Sequence, residues 1–588
     1  MRARVGVVLA AWAALSAAPH ASAATFTVTR TDDPAPGACV SGDCSLREAV
    51  LAANAGSGGD TIVLPAGHFQ LGIAGLGEDA AAKGDLDLTR SVTITGAGAR
   101  ATVIDAMRID RVFQVTSGAT VLISDVKITG GVTTDSGAGI QSNGTLTLVR
   151  DAVVGNQASG TANGGAVDSA GPSLTVTQST LAGNQAYNGG AINFGNMLTL
   201  TDSTVAGNVA GGPGSNGGGG GIHGSTGSTA LIKSSTITGN QAFNGSSSGG
   251  GIDSPGVTLQ NSIVADNRTY ETDLSAAYSD NCASVATSQG HNLSNDVTCG
   301  LGNSTDHPGV AVPLGPLADN GGPTDTEAPA PGTIAVNAGA NCPATDQRGV
   351  SRPRGAACDV GAYEVAPPLA TTSAASGVTF GAATLKGTVD PSARETTAVF
   401  QYGPTSSYGS TLDLGIVGSG IGPVTVSAGL TGLRQGVTYH YRLVATNAEG
   451  TTAGADQTFT TLDKIKPVLS LLRVLPGLFH RNKGATISFR LSELATVTFR
   501  VDRVLRGVRR HGTCVVRKRR SRGRPCTRYV PVPGSFTQAG VEGANSFHFD
   551  ARVGGRLLFP GAYRLRASPR DNAGNVGKTV VAAFRVLR

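Results

Sequence analysis

Tryptophan, charge and long apolar runs are all scarce in this chain. Aromatic residues make up 5% and charged residues 15% of its 588 positions, and the single Trp is Trp12. Beyond residue 23 no apolar run is long enough to span a bilayer, which excludes a later transmembrane helix. CxxC pairs and clusters of Cys with His are absent, which argues against zinc. Scarce aromatics and charge beside 84 glycines would suit a disordered chain. The glycines, however, recur at intervals and are interleaved with Ile, Val and Leu, and that excludes disorder.

What is present begins with MRARVGVVLAAWAALSAAPHASA, two arginines, an apolar run and an Ala21-Ser22-Ala23 end. Residues 1–23 read as a secretory signal, so the mature chain is expected to be secreted and extracellular, free or wall-associated. The eight cysteines fall into neighbouring pairs, Cys39 with Cys44, Cys282 with Cys299, Cys342 with Cys358, and Cys514 with Cys526, which suggests four local disulfides in an oxidising compartment.

The middle of the chain repeats itself. TLTLVRDAVVGN ending at Asn156, SLTVTQSTLAGN at Asn184, MLTLTDSTVAGN at Asn208, ALIKSSTITGN at Asn240 and VTLQNSIVADN at Asn267 are one unit at spacings of 28, 24, 32 and 27 residues. Such periods mean a solenoid, and alternating β-branched residues make each unit strand. Ile128, Val153, Leu181, Val205 and Ile237 share one place in the repeat and should stack inside. The terminal Asn of each unit is expected to occupy the left-handed backbone region and to form an amide ladder, with Gly131 taking its place in an earlier coil. Gly-rich turns at Gly164-Gly165, Gly189-Gly190, 217–221 and 249–251 close the coils. This pattern resembles the right-handed parallel β-helix family over roughly residues 60–365.

Asp43-Cys44-Ser45-Leu46-Arg47-Glu48-Ala49-Val50 offers a capping box, Ser45 with Glu48, for a short helix that would cover the first coil through Leu46, Ala49 and Val50. The string resembles the CSLREA domain of secreted bacterial β-helix proteins. The segments 314–323 and 346–364 resemble the choice-of-anchor Q domain, although no sorting motif or hydrophobic tail follows. Residues 367–462, with Leu433 and Tyr439 placed as in a tyrosine corner, resemble a fibronectin type III domain. Residues 463–588, closing with Asp571-Asn572-Ala573-Gly574-Asn575, resemble bacterial immunoglobulin-like repeats. The fold class is therefore all-β: a right-handed parallel β-helix followed by two β-sandwiches. The divisions are 1–23 signal, 24–90 N-terminal cap, 91–300 β-helix, 301–366 its C-terminal part, 367–462 the fibronectin-like module and 463–588 the immunoglobulin-like module with a basic hairpin.

Two places could carry chemistry. From Arg503 to Arg528 there are 11 Lys or Arg and no acid, which leaves 35 basic residues against 40 acids elsewhere. Arg517, Lys518, Arg519, Arg520, Arg522 and Arg524 lie between Cys514 and Cys526, and read either as a solvated hairpin tip or as an anchor to an anionic cell-wall polymer or polysaccharide. Nucleic acid is a poor fit, because no aromatics interleave with the run. Aligning the Gly-rich turns places Gln141, Asp168, Asn193, His223 and Asp253 in an outward column, with His223, Asp253 and Asp168 its candidate catalytic groups. Asp168 and Asp253, three coils apart at about 4.8 Å each, exceed the roughly 9.5 Å reach of a paired-carboxylate glycosidase. Gly221-Ile222-His223-Gly224 only loosely resembles the Gly-His-Gly of polygalacturonases. Arg348 and Arg352-Pro353-Arg354 resemble the arginines of pectate lyases but sit inside the C-terminal cap motif. Asp85 and Asp87 could offer calcium ligands, and no other cofactor or metal is expected. The reading is a non-catalytic, monomeric protein of the cell surface or medium, for adhesion or wall association. The alternative is a β-helix lyase or glycoside hydrolase acting on an acidic polysaccharide.

Overall fold

The structure, a computed structural model, describes residues 23–244, 248–330, 332–517 and 523–588. It is almost entirely β, a parallel solenoid followed by antiparallel sheets, as the sequence leads one to expect. The leader, with Met1 to Ser22, and the basic residues Lys518, Arg519, Arg520 and Arg522 lie outside the described residues. No helix among those described is long and apolar enough to cross a membrane.

Successive coils build four sheets of ten, seven, seven and ten strands, parallel except for one terminal pair. Ile128, Val153, Leu181, Val205 and Ile237 stand in register one above the next, and all are fully buried. A parallel stack repeats each residue's environment at every coil, so one apolar position per repeat is enough to build a continuous core.

Two corners of every coil are built alike, and here the structure corrects an expectation. The left-handed residue is not the Asn but the one before it: Gly155, Gly183, Gly207, Gly239 and Asp266. The following Asn turns inward, where its side chain serves only the ladder. Asn156 Nδ2 donates to Asn184 Oδ1 at 3.1 Å, Asn184 to Asn208 at 3.0 Å, and Asn208 to Asn240 and Asn240 to Asn267 at 2.9 Å each. Each Oδ1 also accepts the backbone N–H of the Asn below. Gly131 occupies the early end, its N–H donating to Asn156 Oδ1. The second corner repeats the device with Arg150, Gln178, Asp202, Ser234 and Asn261 left-handed, followed by a ladder of Asp151, Ser179, Ser203, Ser235 and Ser262. Gln and Ser in the left-handed region are strained, and the strain persists because the ladder beside it over-determines the corner. At the Gly-rich turn, Gly189 has φ +61°, and a Cβ on Gly190 would lie 2.3 Å from Gly220 O, so these turns admit no side chain.

The helix Leu46–Ala55 has the expected capping box: Glu48 N donates to Ser45 Oγ, and Ser45 N donates to Glu48 Oε2 at 2.8 Å. It buries Leu46, Ala49 and Val50 on the end of the solenoid core. Arg47 is buried as well, ion-paired with Asp33 and donating to three carbonyls. Beyond Pro308 the described chain forms no further coil strand before Leu369. It runs back along the ten-stranded sheet of Thr180–Ala182, Thr204–Ala206 and Thr236–Thr238, whose threonines it buries. Thr204 Oγ1 donates to Gln347 Oε1 at 2.6 Å, and Ala362 N donates to Thr236 Oγ1 at 3.1 Å.

Leu369–Ser376 opens the antiparallel region. Tyr439 Oη accepts from Arg434 N at 3.0 Å, the hydrogen bond of a tyrosine corner. All four expected disulfides are formed.

Candidate functional site

The outward column exists, and it is longer than the repeats imply. Parallel register places Asp87, Gln114, Gln141, Asp168, Asn193, His223 and Asp253 on successive coils. Asp87 and Gln114 escaped sequence reasoning because the first coils lack the Asn that marks the later repeats. In the upper half the side chains are linked. Asn193 Nδ2 donates to Asp168 Oδ1 at 2.6 Å, which orients the amide oxygen toward His223 Nδ1 at 2.8 Å. Nδ1 then carries the proton, and Nε2 is directed to Asp253 Oδ2 at 3.9 Å. Burial pushes Asp253 and Asp168 up and His223 down, opposed in the pair by the mutual attraction of His223 and Asp253. The three candidate catalytic residues thus belong to one hydrogen-bonded chain, with Asn193 the connecting residue. Such a chain could relay a proton, but it spends most of its donors and acceptors internally.

The lower half is closed by an arginine. Arg111, 5% exposed, places Nε 2.9 Å from Asp85 Oδ2 and donates to Gln141 Oε1 and Asp135 Oδ2. Asp85 and Asp87, expected as one buried and one solvated acid, are both buried, at 2% and 0% exposure. Their burial raises them to about 7 and about 6. The cation beside Asp85 is the guanidinium, which takes the place a calcium ion would need. Arg348 and Arg352 are likewise spent: Arg348 chelates Asp346 and donates to Glu364 O, while Arg352 donates to Asp359 O and Gly361 O.

A different set of acids has ligand geometry. Asp463, Glu493 and Asp571 bring carboxylate oxygens within 4.8 Å of one another. They line a cavity of about 820 Å³ with Phe380, Thr461 and Lys464. Burial and the charges of Asp463 and Asp571 push Glu493 up. Hard carboxylate oxygens are of the type a calcium ion takes. Asp571 and its hydrogen-bonded neighbour Asn575 belong to the closing motif already noted in the sequence, but Asp463 and Glu493 are distant in sequence and only folding joins them.

The basic segment sits on the last, seven-stranded sheet. Its central strand Ala495–Arg510 pairs with Thr513–Val516 on one side and Pro525–Pro531 on the other. The Cys514–Cys526 disulfide ties these two flanks across Gly507, where a Cβ would lie 2.6 Å from Cys514 Sγ. Arg517 and Arg524, at the two ends of the basic run, are exposed. Sequence reasoning missed the face of the same sheet, where Arg500, Arg564 and Arg566 surround the single buried acid Asp502.

No family model matches the sequence, and no curated protein does. Among solved structures, the chain is similar to the sensor domain of the anti-sigma factor RsgI4 of Pseudobacteroides cellulosolvens. In a shorter form the identity is 22%, with TM-score 0.15, covering 17% of this chain and 98% of that one. In a longer form it is 18%, with TM-score 0.14, covering 17% and 93%. The FN1–FN3 domains of chicken CNTN1 are 13% identical, with TM-score 0.18, covering 38% of this chain and 67% of that one.

Proposed function

We propose that this is a secreted, non-catalytic protein that attaches to anionic wall polymer or acidic polysaccharide at a cell surface, with the solenoid as its bulk and the last sheet as its contact. The observation that carries this is the concentration of unneutralised positive charge on one sheet and on the disulfide-tied hairpin that extends it. Clustered cations bind polyanions through counterion release without reading sequence. Four disulfides and a parallel solenoid suit an extracellular setting. The test is retention of the full mature chain on immobilised teichoic-acid-type polymer and on polygalacturonate, across a salt series. Retention should fall steeply between about 50 and 200 mM salt, as phosphate-type contacts do. Salt-independent retention, or none, removes the proposal.

A second reading rests on the linked Asp168, Asn193, His223 and Asp253: acid–base cleavage of an acidic polysaccharide laid along the column. Turnover of polygalacturonate lost on His223→Ala would establish it in place of the first.

A further inference from the structure

Arg500 and Arg566 stand directly opposite each other on antiparallel strands of the last sheet, with Thr498 opposite Ser568 as the next outward pair. Like charges facing across a ladder repel, and proteins ordinarily avoid the arrangement or supply a carboxylate for each cation. Here one carboxylate serves three arginines. Asp502, 2% exposed, accepts from Arg564 at 2.7 and 3.1 Å and lies 3.0 Å from Arg566 Nε. Arg564 is further fixed by stacking on Tyr529, its guanidinium carbon 3.5 Å from the ring centre. Arg566 Nε is buried and, despite its closeness to Asp502, makes no well-directed hydrogen bond. Arg500 is exposed and has no ion pair or hydrogen bond among the described residues. The four side chains Thr498, Arg500, Arg566 and Ser568 enclose a hollow of about 290 Å³. Ser568 Oγ is positioned at its rim by a 2.6 Å hydrogen bond with Thr579 Oγ1.

We infer that this hollow is an oxyanion subsite, built to take one carboxylate or phosphodiester of an extracellular anionic polymer between two guanidiniums and two hydroxyls. Planar guanidiniums present paired N–H donors that match a carboxylate or phosphate, and charge-assisted hydrogen bonds are about twice as strong as neutral ones. The bound anion supplies the counter-charge that Asp502 cannot supply to Arg500. The inference rests on the surface-attachment reading but adds to it. The hairpin gives diffuse attraction, whereas this hollow gives a defined contact with one repeat of the polymer.

The experiment uses the full mature chain and short probes: a galacturonate trimer for the carboxylate, a glycerol-phosphate trimer for the phosphodiester, and a neutral dextran trimer as control. Calorimetry should show saturable binding of one of the two anionic trimers, naming the source, and none of dextran. Arg500→Gln should weaken that binding about tenfold, the scale of one charge-assisted contact. The same variant should melt no lower than the parent, because it removes a repulsion and no partner. Thr498→Val should weaken binding a few-fold at unchanged melting temperature. Replacing the six hairpin cations by Ser should spare trimer binding while abolishing polymer retention. Trimer affinity unchanged in Arg500→Gln, or no trimer binding by a parent that still holds polymer, overturns the subsite and leaves surface attachment standing. Loss of both trimer binding and polymer retention in the parent overturns both.

Discussion

Asn193 and Arg500 each project from the outer face of a β-sheet, yet Asn193 is hydrogen-bonded to the coil on either side, whereas Arg500 faces another arginine. The difference follows from strand direction. In the solenoid, parallel coils in register set equivalent residues about 4.8 Å apart, so amides and carboxylates of one column can satisfy each other. In the last sheet, antiparallel pairing brings together residues from unrelated segments, and nothing in the geometry guarantees a complementary partner. The solenoid is therefore a self-satisfied scaffold, and the unspent polar capacity of the molecule collects on the antiparallel side.

The largest test of that contrast is Val205→Asp. A lone carboxylate in the fully buried stack has no partner, and the cost of several kcal/mol should prevent folding and recovery of the secreted chain. Normal yield and melting would refute the internal register. Asn208→Leu is next. It strips partners from Asn184 N and Nδ2, Asn240 Oδ1 and Leu181 O. At about 1–3 kcal/mol for each buried orphan, partly relieved by relaxation, a loss of roughly 3–6 kcal/mol is expected by denaturant unfolding. A loss below about 1 kcal/mol would mean that the ladder is decorative.

Acid–base behaviour sharpens the comparison further. Burial pushes Asp151 up to about 8, and Asp85, Asp202 and Glu327 to about 7, and all four lie along the solenoid. Their unfolded values stand near 4, so between the two pH limits the folded chain binds more protons than the unfolded chain. Stability must then fall as pH rises through that window. The unfolding midpoint should therefore be higher at pH 5 than at pH 8.5, by a few kcal/mol in all at about 1.4 kcal/mol per pKa unit. Asp151→Asn should flatten the profile above pH 7. Stability that rises over the same range would show these acids to be charged and paired. The smallest effect belongs to the other side. Changing Arg517, Lys518, Arg519, Arg520, Arg522 and Arg524 to Ser should move the melt by less than about 0.5 kcal/mol while eliminating retention on anionic polymer. Retention that survives would shift the contact away from the hairpin.

The solenoid was legible because its information is periodic. One apolar place, one Asn and one Gly-rich turn recur at 28, 24, 32 and 27 residues, and stacking converts that recurrence directly into core, ladder and column. Misplacing the left-handed residue by one position shows the limit: the sequence marks where a corner lies, but ψ and φ at each residue depend on which side chain the coil above can hold. Burial of both Asp85 and Asp87 was hidden for a related reason, since their partner Arg111 belongs to the next coil and its reach is not written in any local pattern.

Strand period, core stripe, capping box, cysteine pairing and charge segregation were determined by the sequence alone, because each depends on neighbours a few residues or one repeat away. The opposition of Arg500 to Arg566, the convergence of Asp463, Glu493 and Asp571, and the return of residues 309–366 over the coil threonines were decided only by the tertiary structure. Each joins segments tens to hundreds of residues apart, and no periodicity announces an aperiodic contact.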